Sequence, residues 1–325
     1  MTTMTTMTRR RMIGASATAL AFAALPVAAR TAPLSVVATT GMIADAARNV
    51  GGDLVDVQAL MGPGVDPHAY RQTRSDIVAL TRADVVLWHG LYLEAQMQEL
   101  MLDLSSRGTV TAVAEAVPSE LLIAHEDYQG KFDPHVWMVP ELWAHVVTGV
   151  RDALAAAAPD HAAAFDANAQ AHLDRIAQLG TYARDVLMTV PEPSRVLLTA
   201  HDAFGYFGRA YGFEVIGVQG ISTESEAGLN RIGTLVDLLV SRDIRAVFVE
   251  TSVADRNMRA LIEGAAAQGH SVAIGGELFS DAMGAPDTYE GTYLGMIDHN
   301  ATTIASALGG TAPARGMDGK LSAGL

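Results

Sequence analysis

The stretch PDHAAAFDANAQAHLDRIAQLGTYARDVLMT, residues 159–189, has no proline after its first position and a single glycine, Gly180. Phe165, Leu173, Ile176, Leu179 and Leu187 mark an apolar stripe near helical spacing, in a background of Ala, Gln, Asp and Arg. At 1.5 Å per residue, roughly 30 residues of helix make a rod about 45 Å long. Strand-like and helix-like segments alternate on both sides of it, so the rod is expected to be a rigid connector between two α/β lobes. Two ordinary helices broken at Gly180 are the competing reading.

On the N-terminal side, strands are expected at 34–39, 54–61, 84–88 and 109–113, with helices at 42–49, 75–82, 94–105 and 141–157. Thr73 is placed to cap the second helix, and Pro140 suits the first position of the fourth. Beyond Pro191-Glu-Pro193 the alternation resumes. Strands are expected at 195–199, 213–218, 246–250 and 271–274, and helices at 203–211, 229–241, 254–268 and 292–308. Strand followed by helix, repeated, gives a parallel sheet wound with helices. The predicted fold is therefore α/β, with two lobes, each a mostly parallel four-stranded sheet, joined by one long helix. The expected divisions are 30–158, 159–190, 191–310 and a flexible tail at 311–325.

Residues 1–29 read as a cleaved export signal: Arg9, Arg10 and Arg11, an apolar run from Met12 to Leu25, then the small residues Val27-Ala28-Ala29. The apolar run falls short of the roughly twenty residues of a bilayer span. Thr8-Arg9-Arg10-Arg11-Met12-Ile13 also resembles a twin-arginine motif. The chain has no cysteine, hence no disulfide and no thiol for a lipid anchor, and a soluble monomer in the periplasm is expected. Its formal charge is −14, and the signal contains three arginines and no acid, so cleavage leaves −17. Such a balance argues against nucleic acid and anionic membrane as partners and suits a protein that handles cations.

The string Asp-Pro-His occurs twice, at 66–68 and 133–135. Proline biases the residue before it away from helix, so each histidine is expected on a loop. Ligands of open parallel sheets bind beyond the carboxyl ends of the strands. His68 follows the second expected strand, His135 the fourth, His201 the first strand of the second half, and Asp281 lies after the last. Two donors come from each lobe, so a site built from them lies in the cleft between lobes. Three imidazole nitrogens and a carboxylate form a closed shell typical of Zn²⁺. Glu250, Asp66, Asp133 and Asp202 are all placed to hydrogen-bond an imidazole N–H and fix its tautomer, and the sequence does not choose among them.

Five longer strings stand out: Gly64-Val-Asp-Pro-His68, Asp133-Pro-His-Val-Trp137, Thr199-Ala-His-Asp-Ala-Phe-Gly-Tyr206, Gly276-Glu-Leu-Phe-Ser-Asp281 and Gly291-Thr-Tyr-Leu-Gly-Met296. Through them the chain, from Leu34 to Leu308, resembles the periplasmic zinc- and manganese-binding proteins of ABC importers, the cluster A-I solute-binding proteins, and most closely their treponemal Zn/Mn-binding branch. The resemblance implies two lobes joined by a long helix that close little on binding, a metal in the interlobe cleft held by His68, His135, His201 and Asp281, and a membrane permease with its ATPase as partner. Manganese-preferring members often carry glutamate where His201 stands, and high-affinity zinc members a long His-rich loop where this chain has only Ala124-His125-Glu126-Asp127. Zn²⁺ is ranked first and Mn²⁺ second, in line with their affinities for nitrogen and oxygen donors.

His125 is expected on a polar surface loop and His89 in packing or capping, while His145, His161, His172, His270 and His299 are read as structural. No catalytic residue is expected. The competing function is a periplasmic zinc hydrolase with water in an open position and Glu250 or Asp281 as base.

Overall fold

A computed structural model describes residues 32–322 apart from 107, 126–127 and 226, together with 1–3. Apart from residues 1–3, the export signal, with its twin-arginine motif, lies outside the described residues. Met1–Thr31 separates as one unit from Ala32–Leu325, and the fold below is that of the second unit. Among the described residues no helix is long and apolar enough to cross a membrane.

The first sheet is wholly parallel, with β1 (Leu34–Ala38), β2 (Val55–Ala59), β3 (Val85–Trp88) and β4 (Val110–Ala112) in the order β2-β1-β3-β4. β3 is Val-Val-Leu-Trp and buried throughout, as a strand covered on both faces must be. β2, at the edge, alternates half-buried Val55, Val57 and Ala59 with exposed Asp56 and Gln58. The helices are α1 (Gly41–Gly51), α2 (Arg74–Arg82), α3 (Gln98–Ser105) and α4 (Pro140–Ala157). Thr73 caps α2 as expected: its Oγ1 accepts from Asp76 N, and Asp76 Oδ2 accepts from Thr73 N. The winding reverses between β1 and β3, which opens a crevice at their carboxyl ends.

α5 (Ala162–Leu187) is the long connector, 26 residues without a break and about 39 Å at helical rise. Gly180 does not interrupt it. A methyl group there would lie 3.4 Å from Pro140 Cβ, so the glycine marks where α4 and α5 approach closely. The two-helix reading is thereby excluded.

In the second half the four expected strands are present as two parallel pairs, β5 (Val196–Thr199) with β6 (Glu214–Gly217) and β7 (Ala246–Glu250) with β8 (Ala273–Leu278). β5 lies beside β7, so the spatial order repeats that of the first lobe. Where a ladder bond would be expected beyond β5, the N–H of His201 is taken by the Glu250 carboxylate. β8 runs on through Gly275-Gly276, where the sequence pattern predicted its end. Added methyl groups would meet the Phe248 ring at 2.9 Å and Thr303 Cγ2 at 2.3 Å, so these glycines mark tight packing inside a strand. α6 (Gly205–Tyr211), α7 (Leu229–Ser241), α8 (Arg256–Ala267) and α9 (Tyr293–Ala307) complete the fold.

The two halves share a core. α9 packs along α5 and reaches α1; Tyr293 stacks on Trp143 at 5.1 Å, donates its N–H to Asp45 Oδ2 and its O–H to Trp137 O. Such an aromatic pair adds about 1 kcal/mol beyond the area it buries. One apolar cluster thus extends from β1 and β3 through α4 and α5 to α9, and a second fills the space between β5–β8 and helices α7 and α8. The tail, expected to be flexible from 311, is docked as far as it is described. Met317 N–H donates to both oxygens of Asp298, Arg175 pairs with Asp318, and Leu321 is fully buried.

Candidate metal centre

Each Asp-Pro-His is an Asx turn. Asp66 Oδ1 accepts from His68 N and Asp133 Oδ1 from His135 N, both at 2.9 Å, while the proline between keeps the chain out of helix. The repeated string is therefore a repeated local structure, presenting an imidazole from the loop after β2 and from the loop before α4. His201 stands just beyond β5 and Asp281 beyond β8.

All four converge. One donor atom from each of His68, His135, His201 and Asp281 lies within 4.8 Å of the others, and all four residues are buried. The Nε2 atoms of His68 and His135 are 3.2 Å apart; Asp281 Oδ1 is 3.5 Å from His135 Nε2, and Oδ2 is 3.3 Å from His201 Nε2. Bonds of about 2.0–2.1 Å to a tetrahedral ion require donors about 3.3 Å apart.

The tautomers follow from the partners. Asp133 Oδ1 takes the Nδ1–H of His135 at 2.7 Å, and Glu250 Oε2 takes that of His201 at 2.5 Å. With an ion bound and both rings neutral, each would aim an Nε2 lone pair at the centre, beside the Asp281 carboxylate. His201 Nε2 and Asp281 Oδ1 are buried without a hydrogen-bond partner, a costly arrangement that a cation between them relieves. The electrostatics agree. Burial would push the His135 imidazole down, but Asp133 and then Asp281 outweigh it and hold the group up at about 9. His201 is likewise raised well above the usual range, its burial outweighed by Asp281 and Glu250. Burial would raise Asp281, yet His201, His135 and His68 hold it well below the usual carboxylate range. His68, whose ring has no carboxylate partner of its own, is driven well down by burial. The box as a whole favours positive charge.

Of the four carboxylates left open by the sequence, Glu250 and Asp133 engage imidazoles. Asp66 holds only the backbone of His68, and its Oδ2 accepts from Thr223 Oγ1 at 2.5 Å. Asp202 lines a separate cavity between β6 and α7. Glu250→Gln is expected to weaken metal binding about 10- to 100-fold, because the amide binds the ring less strongly and no longer polarises it. Titration against a chromophoric chelator measures this, and unchanged affinity would release Glu250 from that role.

Other supports were not foreseen. Trp137 Nε1–H donates to Ser280 O at 2.7 Å, joining the His135 segment to the Asp281 segment, and Tyr206 O–H donates to Asp133 O. Ser252 Oγ–H reaches Asp281 Oδ2 at 3.1 Å. His89 does more than pack: its Nε2–H donates to Pro134 O at 2.8 Å, bracing the second Asx turn from beneath. Glu94, buried, accepts from His89 N, Gly90 N and Thr39 Oγ1. His125, expected on the surface, is buried with its ring on Tyr128. His270 and His299 lie at structural carbonyls, Ile244 O and Glu277 O.

A closed box of three imidazoles and a carboxylate, drawn from both lobes of a helix-linked α/β fold, defines a binding protein for a transition-metal cation. Comparison with known proteins agrees. The model of the family described as zinc-uptake complex component A, periplasmic, matches residues 36–307, and this chain belongs to that family. The manganese-binding lipoprotein MntA of Bacillus subtilis (strain 168) is 49% identical over 276 residues, covering 85% of this chain and 90% of that protein. The zinc-binding protein TroA of Treponema pallidum (strain Nichols) is 45% identical over 288 residues, 89% and 92% of the two chains. The solved structure of the periplasmic zinc-binding protein TroA superposes with a TM-score of 0.83, at 44% identity, over 85% of this chain and 99% of that one. The manganese ABC transporter substrate-binding lipoprotein PsaA of Streptococcus pneumoniae serotype 4 is 28% identical over 281 residues, 85% and 89% of the two chains.

Proposed function

We propose that this protein captures one divalent transition-metal ion, Zn²⁺ ahead of Mn²⁺, between His68, His135, His201 and Asp281 and delivers it to an ABC permease with its ATPase. The observation that carries this reading is the convergence of four buried donor atoms, from both lobes, at the spacing of a tetrahedral ion. Three imidazoles rank zinc above manganese by the ordinary affinity order, and this chain keeps histidine at 201. Its relatives named for zinc and for manganese are about equally similar, so the metal is argued from the donors.

The chain acts by coordination alone. Asp281 faces the other donors, and Glu250 is committed to His201, so neither is free as a general base and the hydrolase reading has no support. We place the lobes at 30–158 and 191–310 with 159–190 between them, and the mature protein as a periplasmic monomer released by cleavage after Ala29. The sequence holds no cysteine, whereas relatives are named as lipoproteins, and the twin-arginine route fits its three arginines.

Metal analysis of protein from its native periplasm, followed by titration of zinc against manganese, tests the assignment. One zinc per chain, not displaced by equimolar manganese, is expected. Retention of manganese in the presence of equimolar zinc would reverse the ranking.

A further inference from the structure

His68 differs from its two fellow imidazoles in how it is held. The rings of His135 and His201 are fixed by Asp133 and Glu250, and the Asp133 and Ser280 backbones are tied across the cleft by Tyr206 and Trp137. For His68 the described contacts put no carboxylate hydrogen bond on the ring: its Nε2 faces that of His135, its backbone N–H donates to Asp66 Oδ1, and Asp66 is in turn held by Thr223 of the other lobe. Thr223 belongs to the loop between β6 and α7. That loop begins on the residues flanking His201: Gln219 N–H donates to Ala200 O, and Asp202 N–H to Gly220 O. Gln219 Nε2 also holds Ser225 O, folding the loop back on itself. A chain of hydrogen bonds thus connects the His68 turn of one lobe to the His201 turn of the other through a single hydroxyl. Gln96 and Glu224 make a second crossing at the exposed rim.

We propose that the loop 219–225 is a latch: the Thr223 hydroxyl, by bonding Asp66, holds His68 on the ion and sets the rate at which the site lets its metal go. The inference rests on His68 being a ligand. When the lobes part, the Thr223–Asp66 bond lies at the part-buried edge and breaks before the buried Trp137–Ser280 tie. His68 then leaves first and opens the shell to water. Thr223 is a positioning residue; it touches no metal.

Thr223→Val removes the hydroxyl and keeps the shape, and Thr223→Ser keeps the hydroxyl. Zinc-loaded wild type and both variants are mixed with excess chelator in a stopped-flow instrument, and the melting temperature of each metal-free protein is recorded. Thr223→Val is expected to bind one zinc, melt with the wild type when metal-free, and release zinc about tenfold faster, the scale of one hydrogen bond to a charged group. Thr223→Ser is expected to release at close to the wild-type rate. Wild-type release from Thr223→Val, or equal acceleration by Ser and Val, would overturn the latch while leaving the site intact. His68→Ala separates the underlying reading: wild-type release from that variant would remove His68 from the shell and the latch with it.

Discussion

His201→Ala is expected to bind zinc about a thousandfold more weakly than the wild type while keeping its fold. A structural zinc shell of four protein donors is worth roughly 10–16 kcal/mol, so one donor is worth about 3–4. Here the loss is near the upper end. Without the imidazole, one oxygen of Glu250 stays buried with its ring partner gone, while the other still receives the backbone N–H of residue 201. Chelator competition gives the affinity, and circular dichroism of the metal-free variant gives the fold. A loss below about tenfold with stoichiometric binding would place His201 outside the shell.

Affinity is also expected to climb steeply with pH across the neutral range, because both His135 and His201 are held up. In the metal-free protein His135 titrates at about 9 and His201 well above the usual range, so both rings are protonated at neutral pH. An ion must displace those protons. Each raised group therefore opposes binding below its folded-state pKa, and the opposition disappears as pH rises through it. His68 and Asp281 are shifted down, are already deprotonated, and add nothing to this slope. Roughly two protons should leave per zinc at pH 7, and affinity should rise by up to a hundredfold per pH unit, the slope easing above about 9 as His135 deprotonates. Calorimetry in buffers of different ionisation enthalpy counts the protons. Binding that is flat from pH 6.5 to 8.5 would contradict the electrostatics. The carboxylates Asp133, Asp281 and Glu250 are what move this window above the ordinary histidine range.

What could be read in advance was whatever depends on local pattern. The alternation of strands and helices, the unbroken rod around Gly180, the Thr73 cap and the two Asp-Pro-His turns are all set by residues a few positions apart. The four donors were legible because the strand-end rule narrows ten histidines and many acids to a few, His89 and Glu250 among them, and the repeated Asp-Pro-His and the family resemblance narrow them further. The choice of carboxylate was not legible, since Glu250 reaches His201 only because β7 lies beside β5. Nor was the burial of α9 on α5 and α1, which merges the core of one lobe with the other. Gly275-Gly276 reads as a turn in sequence and is a close-packed strand because Phe248 and Thr303 come from elsewhere in the chain. Thr223 carries no signal at all: its meaning lies 157 positions away, at Asp66.

The most direct test of the central claim is an anomalous-difference map at the zinc edge from crystals of zinc-loaded protein. A single peak is predicted, about 2.0–2.2 Å from Nε2 of His68, His135 and His201 and from an Asp281 oxygen. A peak elsewhere, or one with water standing between the ion and Asp281, would contradict it.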